Sequence, residues 1–190
     1  MNGYEQYWHD HGLETITPRG LENPEGFDLS QAIHDVCRGS VLEIGCGTGR
    51  IARHIPAAIY TGVDINPSAI EAARKNVPTH DFRLVGIETD LPYADTAILY
   101  TVCLHIPDSL IEEQLIRATA AAPLVVIAEI MNPKYRRASP DGYNISNQRS
   151  LEEYTRMMSD LGFDLVEVVK KPYAYYSGEE ITFASFAESP

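Results

Sequence analysis

The chain is short of the residues that would tie it to nucleic acid, a membrane or an oxidising compartment. Lysine and arginine together number 15 against 27 acids, giving a net charge of -12. Binding to a phosphate backbone draws on clustered cations that displace counterions. The short pairs Arg136-Arg137 and Lys170-Lys171 do not reverse the acidic balance. No nucleic-acid partner is expected, and no attraction to an anionic membrane surface. No stretch approaches the roughly 18 uninterrupted apolar residues of a membrane span; the longest, around Ala120 to Ala128, is stopped by Glu129. Three cysteines, Cys37, Cys46 and Cys103, form no close pair and leave an odd count. That usage fits a reducing cytoplasm better than a disulfide framework. Met1 to Asp10 is polar and aromatic, with neither a basic start nor an apolar segment, so no signal peptide is expected.

What the chain does carry is one dense motif, Val41-Leu42-Glu43-Ile44-Gly45-Cys46-Gly47-Thr48-Gly49-Arg50. An apolar strand runs through an acid into a glycine-rich turn, and a helix is expected to follow. Val63-Asp64-Ile65 stands about 20 residues beyond Gly45, where a second strand ends and a carboxylate can accept both hydrogens of a ribose diol. A dinucleotide loop places its third glycine three residues after the second, so that a helix N-terminus approaches a pyrophosphate. Arg50 occupies that position here. Glu43, two residues before the first glycine, repels a pyrophosphate and suits a cationic amino group, so the loop fits an amino-acid nucleoside better than a dinucleotide.

At these residues the chain resembles the class I S-adenosylmethionine-dependent methyltransferases, whose first motif has the form acid-x-Gly-x-Gly-x-Gly. Glu43, Gly45, Gly47 and Gly49 match it position by position. The resemblance extends through Asn66-Pro67, Leu91-Pro92-Tyr93, Asp95 to Val102 and Leu104-His105-Ile106-Pro107-Asp108 in the family's order. It implies S-adenosyl-L-methionine as cofactor. Gly45, Gly47 and Gly49, with Cys46 among them, would give close backbone approach; Glu43 would meet the amino-acid end, Asp64 the ribose and Ile65 the adenine. Thr101, late in the fourth strand, would offer backbone groups to the methionine portion. Family members often place an acid right after a glycine in the loop beyond the third strand. Here Gly86 is followed by Ile87, leaving Glu88 or Asp90 for the adenine amino group, or else as solvated loop acids.

Periodicity supplies the rest of the fold. Asp28 and Gln31 make a capping-box-like pair ahead of Leu29, Ala32, Ile33 and Val36. Asn66 and Pro67 open a helix with Ile70, Ala73 and Val77 on one face. Ser150 and Glu153 form a capping box before Leu151, Tyr154, Met157, Met158 and Leu161, and Gly162 ends that helix. Strands are expected at Val41 to Ile44, Ile59 to Asp64, Phe82 to Val85, Thr96 to Val102, Leu124 to Ile130, Phe163 to Lys171 and Ile181 to Ala187. Alternation of strand and helix predicts an α/β, doubly wound, mostly parallel sheet with helices on both faces. The family resemblance makes it seven-stranded, with the last strand antiparallel beside the fifth. One domain is expected, residues 1–27 forming an N-terminal arm or lid and 28–190 the Rossmann-like core.

Chemistry follows from the donor that the resemblance implies. A sulfonium methyl is already electrophilic, so the protein must hold a nucleophile in line and accept a proton where the nucleophile carries one. No metal is required, and His9 and His11 lack a third ligand at diagnostic spacing. His105, at the exit of the fourth strand, is a candidate base; its alternative is a tie between strand end and following helix. Glu129 ends the fifth strand and is expected to face the same crevice, binding substrate or pairing with a cation. Tyr135, Arg136, Tyr143, Asn144, Tyr173, Tyr175 and Tyr176 are candidate substrate contacts. The arm Tyr4 to His11 is too aromatic for an idle tail. It reads either as a lid with Tyr7 or Trp8 over the methionine portion, or as a helix docked by Tyr4, Trp8 and Leu13.

No Asn-Pro-Pro-Tyr segment follows the fourth strand, which disfavours exocyclic amines of bases. The expected activity is methyl transfer to oxygen or nitrogen of a small molecule or carbohydrate. Alternatives are a nicotinamide-dependent reductase, although no tyrosine is followed four residues later by lysine, or a catalytically silent S-adenosylmethionine-binding scaffold. Oligomeric state is left open.

Overall fold

The computed structural model describes residues 6–11, 26–86, 88–136, 146–174 and 178–189. Its centre is a seven-stranded sheet in the order β3-β2-β1-β4-β5-β7-β6. The strands are β1 (Val41–Ile44), β2 (Tyr60–Asp64), β3 (Asp81–Leu84), β4 (Thr96–Tyr100), β5 (Leu124–Glu129), β6 (Phe163–Tyr173) and β7 (Glu179–Glu188). The first five pair in parallel, and β7 runs antiparallel between β5 and β6. β1, β4 and β5 are buried on both faces, as parallel strands must be when helices cover both sides. Sequence boundaries agree within two residues throughout, β6 and β7 each running on by two residues toward the hairpin between them.

Alternate side chains of the strands feed two cores. Val41, Ile98, Val126 and Phe183 meet α1 (Leu29–Val36) and α2 (Pro67–Asn76) on one face. Leu42, Leu99, Val125 and Phe186 meet α3 (Ile111–Ala121) and α4 (Leu151–Asp160) on the other. The helices start where their capping residues stand. Asp28 accepts from Gln31 N, Asn66 from Ala69 N, and Ser150 and Glu153 complete a capping box. The Asp28 cap is one-sided, because the Gln31 side chain donates forward to Asp35 at 2.6 Å instead of reaching back.

The expected helix after the glycine motif is not formed. Between β1 and β2 the chain makes only two single 3-10 turns, Ala52–His54 and Ala57–Ile59. Three glycines at positive φ delay any helical start and Pro56 blocks its continuation. Ile51, Ala52 and Ile55 still bury against the first core. Among the described residues, no helix is long and apolar enough to cross a membrane.

The turn feeding β1 depends on one glycine. Gly39 has φ +56, and a Cβ there would lie 2.2 Å from Asp95 Oδ2. That same oxygen accepts from Ser40 N and Ser40 Oγ, each at 2.7 Å, which ties the start of β1 to the start of β4. Gly39→Ala is therefore expected to lower stability by about 1 to 3 kcal/mol, from left-handed strain and displacement of Asp95. The urea midpoint should fall at unchanged m-value; an unchanged midpoint would show that the turn adapts.

Candidate active site

The parallel strands reverse their order at β1 and β4, so a crevice opens at the carboxyl ends of this pair. Its floor is the glycine loop. Gly45 N and Cys46 N both donate to Val63 O, at 2.8 and 3.0 Å, folding the loop back over the end of β2. Gly45 has φ +75, and a Cβ there would meet Val102 Cγ2 at 2.6 Å, so only glycine lets the loop approach the exit of β4 this closely.

Asp64 is gripped from two sides. Gly47 N donates to its Oδ2 at 2.8 Å and Asn66 N to its Oδ1 at 2.9 Å. Burial raises the carboxyl above its usual range, while these amides draw it back. Each oxygen receives one of these bonds, and a carboxylate has acceptor sites for more. Ile65 follows it half-buried. Glu43 lies beneath the loop at 3 % exposure, and its carboxylate accepts from Tyr60 OH. Burial pushes it up to about 8, against the opposing pulls of the Tyr60 bond and of Arg50. Arg50 lays its guanidinium over the Tyr100 ring at 4.7 Å and donates from Nη2 to Thr101 Oγ1 at 3.0 Å. Thr101 sits just past β4 rather than within it, at φ 56, a left-handed value costly for a β-branched residue.

Across the crevice, Cys103–His105 forms a 3-10 turn held from below. Glu129 accepts from Leu104 N at 2.9 Å and from Tyr154 OH. Arg149, 2 % exposed, donates to Cys103 O at 3.0 Å, to Ile106 O at 2.9 Å and to Asp108 Oδ1 at 2.6 Å. Asn147 N donates to Leu104 O at 2.6 Å. His105 emerges from this pinned turn with its ring 4.9 Å from that of Trp8.

Trp8 belongs to a helical arm over residues 6–11. Its ring is 8 % exposed, and its carbonyl accepts from Asn66 Nδ2 at 2.6 Å. Tyr7 meets Trp8 edge-on at 5.5 Å and stacks on His11 at 5.0 Å. The arm is thus a docked helix whose docking place is the mouth of the crevice. Tyr4 and Leu13, the other expected anchors, lie outside the described residues.

Several expected contacts are corrected. Glu129 turns inward: it is fully buried, with one oxygen on the Leu104 amide and the other on the Tyr154 hydroxyl, and does not face the crevice. Tyr135 OH donates to Glu179 Oε1 at 2.6 Å. Arg136 pairs with Glu153 and donates to Gln148 O at 2.9 Å, so its guanidinium braces the start of α4 rather than an anionic ligand. Tyr173 is buried in the first core. Glu88 and Asp90 are exposed on the loop beyond β3, whose path is set by Arg117 donating to Gly86 O and Thr89 O. Tyr143, Asn144, Tyr175 and Tyr176 lie outside the described residues. Among the described residues no group of three His, Cys, Asp or Glu stands close enough to hold a metal. Arg149, Asn147, Asn66 as a tie to the arm, and Tyr60 as the partner of Glu43 escaped the sequence reading. Only the capping pattern at Asn66 hinted at one of them.

Residues 41–122, which hold the glycine loop, Asp64 and the His105 turn, match the family model described as a methyltransferase domain. No curated protein is a significant match in sequence. Solved structures carry the likeness along the whole chain. Magnesium protoporphyrin IX methyltransferase (ChlM) from Synechocystis PCC 6803, with bound SAM, is 14% identical with a TM-score of 0.67, covering 100% of this chain and 99% of its own. The 1,6-didemethyltoxoflavin-N1-methyltransferase of Burkholderia thailandensis, with bound S-adenosylhomocysteine, is 16% identical with a TM-score of 0.69, over 97% of this chain and 85% of that one. The mitomycin 7-O-methyltransferase MmcR gives 14% identity and a TM-score of 0.71, over 99% of this chain and 61% of its own. The chain shares its fold with these solved methyltransferases.

Glu129 generates a pH prediction. Burial lifts its pKa from 4.5 to about 7 in the folded chain, against the pulls of the Tyr154 and Leu104 bonds. Between these values the folded chain holds a proton that the unfolded chain has released. Its contribution is therefore complete below about 4.5 and is lost as pH rises through about 7. The apo protein is expected to lose roughly 2 to 4 kcal/mol of stability from this group across that interval. Glu129→Gln should flatten the decline in urea-denaturation series at pH 5 and 8, leaving the portion due to Glu43. An equal decline in the variant would assign it to other groups.

Proposed function

We propose that this chain is an S-adenosylmethionine-dependent methyltransferase acting on an oxygen or nitrogen of a small molecule or carbohydrate. The observation that carries the reading is the Asp64 carboxylate, gripped by Gly47 N and Asn66 N at the lip of the glycine loop. Two backbone donors fix its plane, and its remaining lone pairs suit the paired hydroxyls of a ribose. The surrounding residues fit the rest of the cofactor. Glu43 beneath the loop is an acceptor for the amino group of an amino-acid portion, and Arg50 beside the loop a cationic donor for its carboxylate. Arg50 also stands where a pyrophosphate loop needs glycine, which argues against a nicotinamide dinucleotide.

When bound, the cofactor supplies an electrophilic methyl group. The protein's own residues then have three tasks. The glycine loop and Asp64 fix the donor's position; the pinned turn of residues 103–106 fixes His105 opposite; and the arm, through Trp8, covers the crevice and limits water. His105 is the residue proposed to take the acceptor's proton if that acceptor is a hydroxyl. The proposed substrate class is supported by neighbours of the same fold described as N1- and 7-O-methyltransferases of small molecules. The acidic surface and the aromatic arm are consistent with a small polar ligand.

Calorimetry is expected to show binding of S-adenosylmethionine and S-adenosylhomocysteine and none of NAD. Asp64→Ala should weaken S-adenosylhomocysteine by roughly 1.5 to 3 kcal/mol, the scale of lost charge-assisted hydrogen bonds. NAD binding without an S-adenosyl ligand would sink the assignment, and unchanged affinity in folded Asp64→Ala would move the ribose site elsewhere.

The proton step has its own test, in a screen of small hydroxyl and amine acceptors with labelled cofactor. His105→Ala should slow turnover of a hydroxyl acceptor roughly 100- to 10,000-fold, with cofactor affinity nearly intact. Normal turnover by the variant on a hydroxyl acceptor would remove His105 from the mechanism.

A further inference from the structure

Asn66 connects three parts of the molecule that lie far apart in sequence. Its backbone N–H donates to Asp64 Oδ1 at 2.9 Å, its Oδ1 accepts from Ala69 N at 2.8 Å, and its Nδ2 donates to Trp8 O at 2.6 Å. The residue is 2 % exposed. A buried side-chain amide with a donor and its acceptor both engaged has little freedom to exchange partners with water. The ribose acid, the N-terminus of α2 and the arm are thus fixed to one another by a single side chain and its own amide.

The sheet order shows what the arm crosses. β1 lies between β2 and β4. Asn66 stands past the end of β2, and His105 past the end of β4. Trp8 touches both, its carbonyl on Asn66 and its ring 4.9 Å from His105. The arm therefore spans the carboxyl end of β1, directly above the glycine loop. A nucleoside held by that loop and Asp64 would lie next to this bridge, which stands across one way out.

We propose that Asn66 is a positioning residue that couples occupancy of the ribose site to closure of the arm, and thereby sets the rate at which the demethylated cofactor leaves. The proposal rests on the cofactor reading given above. A ribose on Asp64 holds its carboxylate in place; this fixes Asn66 through its amide, and Asn66 presents Nδ2 to Trp8. Linkage requires the reverse as well: a docked arm tightens the nucleoside site. The arm end of the bridge is a hydrogen bond and a ring contact, both small enough to open on the timescale of a catalytic cycle.

The test is release of labelled S-adenosylhomocysteine from the full chain, measured by chase with unlabelled ligand, for wild type, Asn66→Ser, Trp8→Ala and the double variant. Serine keeps a capping oxygen for Ala69 N and adds no charge, but it is too short to reach the Trp8 carbonyl. Asn66→Ser is expected to speed release roughly three- to ten-fold, the loss of one hydrogen bond. Trp8→Ala, which removes the ring contact but keeps the carbonyl that Asn66 bonds, should also speed it, and the double variant should release at least as fast as either single variant. Trp8 is the sole tryptophan, so its emission reports the arm directly. It should move toward that of a water-exposed indole in Asn66→Ser and return part of the way on adding S-adenosylhomocysteine.

Equal release from wild type and Asn66→Ser overturns the coupling. So does Trp8 emission in Asn66→Ser that is unchanged from wild type, which would make Asn66 a helix cap and nothing more. If the wild type itself fails to bind S-adenosylhomocysteine, the cofactor reading falls and this proposal with it, an outcome told apart from the others by the wild type alone.

Discussion

One carbonyl organises the active end of this molecule. Val63 O accepts from two consecutive amides, Gly45 and Cys46, so the chain leaving β1 is turned back over the end of β2 instead of continuing outward. Everything at the crevice follows from that reversal. It brings Gly47 within reach of Asp64, leaves Gly45 against Val102, and sets Arg50 over Tyr100 and Thr101. A side chain at Gly45 would push the loop off the β4 exit, and the two halves of the crevice would separate.

The opposite wall is held by a different device. Glu129, Tyr154 and Arg149 sit wholly inside the protein beneath the His105 turn. Glu129 and Arg149 bind backbone groups of Cys103, Leu104 and Ile106, and Tyr154 donates to Glu129. Buried polar groups contribute little net stability, yet breaking such a network leaves uncompensated charge or dipole in a low-dielectric interior. The arrangement therefore allows one geometry for the turn and penalises its alternatives. A short turn at a crevice gains from such rigidity, which adds to the apolar anchoring of Cys103 and Ile106 in the second core.

The strands and three of the four helix starts were legible in the sequence because their signals are local, whereas the place of the antiparallel strand came only with the family resemblance. Near-continuous apolar runs mark β1, β4 and β5, and Asn66-Pro67 and Ser150 to Glu153 announce helices within four residues. The glycine loop and Asp64 were legible because their spacing follows from strand and turn lengths. What escaped was pairing at a distance. Arg149 meets Cys103 and Asp108 across more than forty positions, and Asn66 meets Trp8 across 58; no local pattern announces either. Glu129 was misplaced for a related reason. The end of a strand fixes depth in the sheet, but which partners claim the carboxylate depends on Leu104 and Tyr154. Arg136 and Tyr135 show the same limit, as residues of ligand-binding type taken up by Glu153 and Glu179. The missing helix after the glycine loop is a conflict between the expectation raised by the glycine motif and the breaking effect of Pro56.

The outer edge of the sheet has a consequence of its own. β6 is long, pairs with a neighbour on only one side and leaves Val166 and Val168 exposed. A strand of this kind invites other chains to add to it. Its pairing is interrupted between Leu165 and Glu167, it carries Asp164, Glu167, Lys170 and Lys171, and Pro172 withholds an amide near its end. An incoming strand would meet an irregular ladder and would have to desolvate charges of both signs. The same hairpin that completes the fold thus guards it against self-templated growth, which gives its surface charges a purpose unconnected with catalysis.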